Sequence, residues 1–212
     1  MNLTEEIKEK ILHHTYLADY HETMANHTSF SRGITQISIA DNQGNCVSMT
    51  LSNGEGAGYV IPDTGIMMNN MLGEEDINPH GFHNWPCNSR IASMMSPSMA
   101  FTDNGDTYVV GSGGSNRIRS AVLQVLINLL DFGLPIERAV EQTRLHFEGD
   151  TLNIEAGPKQ HVVKQLESEF PTHRLWPQKN LFFGGAHSVL KSANGAFDGQ
   201  GDSRRGGVCY IS

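Results

Sequence analysis

The chain lacks any apolar run near the roughly 20 residues that a membrane-spanning helix needs, so nothing in it reads as a bilayer span. It is also short of cysteine. Cys46, Cys87 and Cys209 are widely spaced, odd in number and without a CxxC pair. That excludes a disulfide framework and suits reduced, partly buried thiols. The histidines include the pair His13-His14 but no HExxH arrangement, so neither a metal nor any other cofactor is expected. Positive charge is scarce: 15 Lys and Arg stand against 23 Asp and Glu, a net charge of −8. This argues against nucleic acid or an anionic membrane as partner and favours solubility. The first ten residues are polar and carry no secretory leader. The reading therefore leans to a cytoplasmic chain, with a periplasmic home following only if it is part of an exported precursor. Internal repeats and low-complexity tracts are absent.

What is present amounts to one good-sized domain or half of a larger one, 212 residues long. With 38% hydrophobic residues and 22 glycines, a sheet-rich fold with many turns is expected. Residues 2–25 read as a helix, with Leu3, Ile7, Ile11 and Leu12 near 3.6-residue spacing and Thr4 as its N-cap. Residues 26–33 have no periodicity and read as a linker, so the division expected is 1–33, helix and linker, and 34–212, the domain.

The stretch 32–53 organises the rest. Residues 34–40 alternate in the manner of a half-buried strand, Asp41-Asn42-Gln43-Gly44-Asn45 is turn chemistry, and residues 46–51 form a second strand. A glycine-rich loop, Gly54 to Gly58, follows without Rossmann or Walker spacing. Residues 65–70 read as a buried strand ending in two amides. Residues 99–101 and 108–110 read as strands around the Asp103-Asn104-Gly105 turn. Gly111-Ser112-Gly113-Gly114-Ser115 then precedes an apolar helix, 117–130, which Gly133 and Pro135 close. A shorter helix over 136–143, strands over 144–147 and 152–156, a helix over 159–170, and closing strands over 181–191 and 208–211 complete the pattern. Arg144 and His146 are expected to serve structure, and Asp202-Ser203-Arg204-Arg205-Gly206-Gly207 an ion-paired turn.

Five blocks, in one order, carry a resemblance: RGITQISIADNQGNCVSMTLSN, GEGAGYVIPDTGIMMNNMLGEED, SRIASMMSPSMAF, GSGGSNRIRSAVLQVLIN and GDSRRGG. Together they resemble the small, catalytic subunit of the gamma-glutamyltransferase family, over about residues 30 to 212. The resemblance implies the four-layer αββα sandwich of the N-terminal nucleophile hydrolases, an α+β fold. It implies gamma-glutamyl transfer or hydrolysis on glutathione-like amides through a threonine acyl-enzyme, after autoproteolysis. The freed α-amine, with a pKa of about 8, would act as general base.

Residue by residue, the resemblance implies Thr35 as nucleophile after a cut before it, and the N–H groups of Gly114 and Ser115 as oxyanion donors. Ser52 and Asn53 would assist and contact substrate, Glu74 and Glu75 would meet the donor's α-ammonium, and Ser93 with the N–H of Met94 its α-carboxylate. The sequence departs from the family's pattern at three places: the first acid's position is Met71, the second serine's is Met94, and the third is the nucleophile's. Aligning the hairpins through Gly44-Asn45 puts the family's nucleophile position on Ile34, which has no hydroxyl. The alternative is therefore an uncleaved, catalytically silent relative that binds a partner chain or a ligand. The family's large subunit also supplies an arginine that this chain does not match, so a separate large chain or a homo-oligomer is expected as partner.

Overall fold

The computed structural model describes residues 33–212 except 55, 75 and 76. The chain separates into two compact units, Met1–Phe30 and Ser31–Ser212, and the described residues belong to the second. The helix expected over 2–25 and nearly all of the linker expected over 26–33 lie outside them.

The elements run β1 (Ile34–Ala40), β2 (Cys46–Ser52), β3 (Ser98–Phe101), β4 (Thr107–Gly113), α1 (Arg117–Leu130), α2 (Ile136–Glu141), β5 (Leu145–Glu148), β6 (Thr151–Ile154), α3 (Gln160–Glu169), β7 (His173–Leu175), β8 (Gly185–Lys191) and β9 (Phe197–Gln200). β1 and β2 pair antiparallel, Ile34 opposite Ser52 and Ala40 opposite Cys46. Their turn is tied by the Asp41 carboxylate, which accepts from the backbone N–H of Gln43 and Asn45 and from the Asn45 side chain. A second sheet has the order β3-β4-β8-β9, and a third β5-β6-β7.

Three layers stack. The β1–β2 sheet lies on β4 and β8, and α1 and α2 cover the opposite face of that central sheet. In α1 the residues Ile118, Ala121, Val122, Val125 and Leu129 recur at helical spacing and are all buried, so the helix gives one stripe to the core. Gly133, at φ +58°, lets the chain turn so that the Leu134 N–H caps the Asn128 carbonyl. Pro135 then leads into α2, whose Ile136, Ala139 and Val140 join the same core.

A buried ionic network ties the later elements together. Arg144 Nη2 is 2.6 Å from Asp202 Oδ2, Arg204 Nη1 3.2 Å from Asp202 Oδ1, and Arg204 Nη2 2.6 Å from Glu155 Oε2. Carbonyls of Val140, Gln142 and Phe183 accept from the same guanidinium groups. The expected ion-paired turn at 202–207 is thus present, and it locks the end of β6 and the start of β8 to α2. Burial alone would raise the Asp202 carboxyl, but Arg144, Arg204 and the N–H groups of Arg204 and Ala186 outweigh it and hold it below the usual range.

Four expectations are corrected. Residues 65–70 are no buried strand. They form a loose hairpin with 57–61 through one bridge, Val60 to Met67, and leave Ile66, Met67 and Met68 exposed. Residues 208–211 are an exposed tail; the closing strand is instead β9, whose Asp198 and Gly199 hid its character. Residues 181–183 make a 3-10 turn rather than the start of β8. Cys87 and Cys209 are exposed, not partly buried.

Asp202→Ala should leave the buried Arg144 guanidinium without its paired carboxylate and Arg204 with Glu155 alone, and lower unfolding free energy by about 3–5 kcal/mol, read by urea titration. The depressed Asp202 pKa stabilises the fold above the ordinary carboxylate value of about 3.9 and is lost as pH falls through the folded value. Melting temperature should therefore drop on acidification below about pH 4, and the drop should be shallower in Asp202→Asn.

Candidate active site at the head of the first strand

Strand alternation decides what meets the glycine loop. Ile34, Gln36 and Ser38 face the central sheet, and Thr35, Ile37 and Ile39 face away from it. Ile34 is 7% exposed. A Cβ on Gly113 would lie 2.9 Å from the Ile34 carbonyl oxygen and 3.3 Å from its Cγ2, so glycine there is what lets β1 approach β4. A Cβ on Gly111 would collide with the Gln36 amide.

That amide is the centre of a polar clasp between the two sheets. Gln36 Nε2 lies 3.1 Å from Ser38 Oγ and 3.0 Å from Ser48 Oγ, and its Oε1 accepts from Thr50. Ser38 Oγ donates to the His187 carbonyl at 2.9 Å, and Ser48 Oγ to the Val110 carbonyl at 3.0 Å. Sequence reasoning missed Gln36. A polar residue at the buried phase of an alternating strand was the available signal.

Beside Ile34 stands Ser52, its cross-strand neighbour on the same face; Ser52 Oγ accepts from the Gly54 N–H at 3.0 Å. Asn53 links three segments through its backbone. Its N–H donates to the Gly33 carbonyl, and its carbonyl accepts from Gly56 and Asn70, each at 3.1 Å. The loop thereby carries the 3-10 turn Met71–Gly73, with Glu74 behind it, to the head of β1. The Asn78 side chain holds this loop by donating to the carbonyls of Leu72 and Glu74. Glu75 lies outside the described residues.

Thr35, in contrast, is exposed on the outer face opposite Leu51, so the structure does not bring its side chain to Gly114 and Ser115. Ser93 is exposed, and its Oγ accepts from the Met95 N–H. Met94 is 5% exposed and belongs to the same hydrophobic cluster as Ile34, Ile77 and Val110, with Met71 and Met95 packed against it.

The loop at the end of β4 is tightly built. Gly114 is at φ +136° against Gly184, and Ser115 is left-handed at φ +52°, an unusual conformation for a residue with a side chain. The carbonyls of Gly114 and Ser115 accept from the N–H groups of Arg117 and Ile118, which open α1. Next to them Asn116 Nδ2 donates to Glu148 Oε1 at 2.5 Å, Glu148 Oε2 is 3.3 Å from His146 Nε2, and His146 Nδ1 is 2.8 Å from Ser120 Oγ. The His146 contact, outweighing burial, together with Asn116 and Arg117 brings the Glu148 carboxyl down to about 2. This brace was legible only as period-2 spacing of His146 and Glu148 on one strand face. Among the described residues no cluster of three or more His, Cys, Asp or Glu side chains is placed to hold a metal ion.

Known proteins share this construction. The family profile described as gamma-glutamyltranspeptidase matches residues 2–211. The glutathione hydrolase proenzyme of Bacillus subtilis is 31% identical over 178 residues, 82% of this chain and 30% of that protein. The acylase ACY 1 proenzyme of a Pseudomonas species is 33% identical over 64% of this chain and 25% of its own length. Among solved structures, a gamma-glutamyltranspeptidase from Pseudomonas nitroreducens complexed with L-DON superposes with a TM-score of 0.71 at 27% identity. That match covers 84% of this chain and 99% of the other. The transpeptidase CapD of Bacillus anthracis gives 0.68 at 25%, over 84% and 99%. The chain thus spans about 30% of the length of the curated relatives it matches. The fold is the α+β fold of the N-terminal nucleophile hydrolases, with small-subunit extent. Matched by the family profile almost from end to end, this chain belongs to the gamma-glutamyltranspeptidase family.

Proposed function

We propose that this chain is the small-subunit-like half of a gamma-glutamyltranspeptidase in which self-processing and acyl transfer have been lost, and that it serves by assembling with a separate large chain. One observation carries the reading: positions 34, 71 and 94, where the family's pattern calls for a nucleophile, an acid and a serine, hold Ile, Met and Met. All three lie in or against one hydrophobic cluster. A zwitterionic gamma-glutamyl donor needs charged or hydrogen-bonding partners at such points, since its ammonium and carboxylate lose their water on binding. Apolar side chains offer none.

In the family's reaction the hydroxyl of the first residue attacks the gamma-carbonyl, its own α-amine takes the proton, and two backbone N–H groups receive the oxyanion. Ser52 stands beside position 34, which supports that position, rather than 35, as the place where the nucleophile belongs. For Thr35 to reach the Gly114–Ser115 loop, β1 would have to slip by one residue. A slip turns every side chain to the other face. It would bury Ile37 against Gly111 and Ile39 in the place of Ser38, and break the Gln36, Ser38 and Ser48 hydrogen bonds, at roughly 1 kcal/mol each.

A second reading keeps the enzyme active, with a cut before Thr35. It is favoured by the retained glycine loop, with Ser115 held at φ +52°, and by Ser52, Asn53, Glu74, Glu75 and Ser93 in the family's order. For the partner, the outer face of β1–β2 speaks: Ile37, Ile39, Val47, Met49 and Leu51 are all exposed there, an apolar patch that suits a docked chain.

Incubated at neutral pH, the purified protein should give a single intact mass that includes residues 1–34 and no turnover of gamma-glutamyl anilides. Release of a fragment beginning at Thr35, with activity abolished by Thr35→Ala, would overturn the silent reading. Ile34→Thr should introduce cleavage before residue 34 when the large chain is present. Its buried hydroxyl should also cost about 1–3 kcal/mol of stability, measured by thermal melting.

A further inference from the structure

His146 stands between α1 and β5, and its two ring nitrogens have different partners. Nδ1 lies 2.8 Å from Ser120 Oγ on α1, and Nε2 lies 3.3 Å from Glu148 Oε2 on its own strand. The other Glu148 oxygen accepts from Asn116 Nδ2. Ser120 Oγ is also 3.1 Å from the Arg117 carbonyl. Asn116 and Arg117 follow Ser115 directly, so this chain of bonds joins the glycine loop and the first turn of α1 to β5.

Hydrogen supply decides the state of the ring. A carbonyl and an ionised carboxylate only accept, and a hydroxyl has one hydrogen to give. When Ser120 gives its hydrogen to the Arg117 carbonyl, Nδ1 must carry the hydrogen of the bond between His146 and Ser120. Nε2 must carry another, because the Glu148 carboxylate has none to offer. All the bonds are therefore made at once only when both ring nitrogens are protonated. A neutral ring with its hydrogen on Nε2 pulls Ser120 away from Arg117. One with its hydrogen on Nδ1 sets two acceptors, Nε2 and Glu148, against each other.

We propose that His146 is a proton-operated latch on the glycine loop: as an imidazolium it ties Ser120 to Glu148, and loss of its proton loosens residues 114–120. The surroundings favour a charge at that place. His146 is 6% exposed, and a buried cation needs a close counter-charge, which Glu148 supplies. Arg117 is the cation that α1 brings near the pair, and it opposes a second positive charge. Its Nε, however, donates to the Phe182 carbonyl at 3.1 Å, and its guanidinium lies 4.8 Å from the centre of the Phe182 ring. Arg119, also on α1, is exposed to solvent. Phe182 meets the imidazole edge to face at 6.0 Å. Asn153, opposite His146 on β6, carries no charge, and Arg144, two residues back along the chain, is paired with Asp202. The bonds are complete below the pH at which His146 releases its proton and are lost as pH rises through it. The latch operates in either reading of the function, since it uses neither Ile34 nor Thr35.

The test follows the full chain, with 15N in its histidine rings, by NMR from about pH 5 to pH 9, with amide hydrogen exchange over the same range. His146 is assigned by the signals that disappear in His146→Gln. Below its midpoint both ring nitrogens should carry hydrogen. Once corrected for the intrinsic pH dependence of exchange, the amides of residues 116–120 should exchange about tenfold faster above that midpoint than below it. Glu148→Gln removes the counter-charge and should lower the midpoint by about one pH unit, a tenfold loss of proton affinity. Ser120→Ala should lower it as well and abolish the step in loop exchange. A ring with one hydrogen throughout, a midpoint unmoved in Glu148→Gln, or loop exchange without a step at the His146 midpoint would overturn the proposal. Should either variant fail to fold, the coincidence of the two steps in the unaltered chain still decides.

Discussion

Everything at the candidate site depends on the register of β1. A strand offers its side chains to two faces in strict alternation, so fixing one residue fixes all seven. Gln36 fixes it. Its amide is buried over Gly111, held by Ser38, Ser48 and Thr50, and the Ser38 and Ser48 hydroxyls reach on to carbonyls of β8 and β4. A polar residue buried between two sheets is costly unless fully bonded, and here the bonds are available in only one alignment. Position 34 therefore meets Gly113, and position 35 meets solvent.

Three substitutions then reinforce one another. Ile34, Met71 and Met94 are remote in sequence, yet each is apolar where the family's pattern calls for a polar group, and they converge on one cluster. An isolated loss of the nucleophile would leave a polar pocket without chemistry. In the silent reading we propose, convergence on a packed cluster turns the donor site into core, and packing takes over the stabilising role that ligand contacts would otherwise have. The glycine loop beside it keeps its shape for reasons that include structure: Gly113 makes room for β1, Gly114 lies against Gly184, and Asn116 engages Glu148.

On the far side of the central sheet the constraint is electrostatic. Arg144, Asp202, Arg204 and Glu155 form a closed set of buried charges, each with a counter-charge and backbone partners. Such a set adds little net stability compared with an apolar core, but it tolerates no missing member. It thereby pins the C-terminal turn beneath β8 and leaves the tail beyond it exposed.

The sequence by itself determined the elements whose signals are local: the 34–52 hairpin from its alternation and Asp-Asn-Gly turn chemistry, α1 from its 3.6-residue stripe and Gly-Pro stop, and the glycine loop between strand and helix. Order and spacing of the blocks were enough for the family. What local signals could not carry was decided by tertiary structure. Residues 65–70 look like a buried strand until it is seen that no second strand covers them, and β9 looks like a turn until β8 pairs with it, because pairing rather than propensity makes a strand. Likewise Thr35 and Ile34 are equally near the head of β1 in sequence. Only the packing of β1 on Gly111 and Gly113 decides that Ile34 faces the loop, since facing is a property of two sheets in contact and not of one strand.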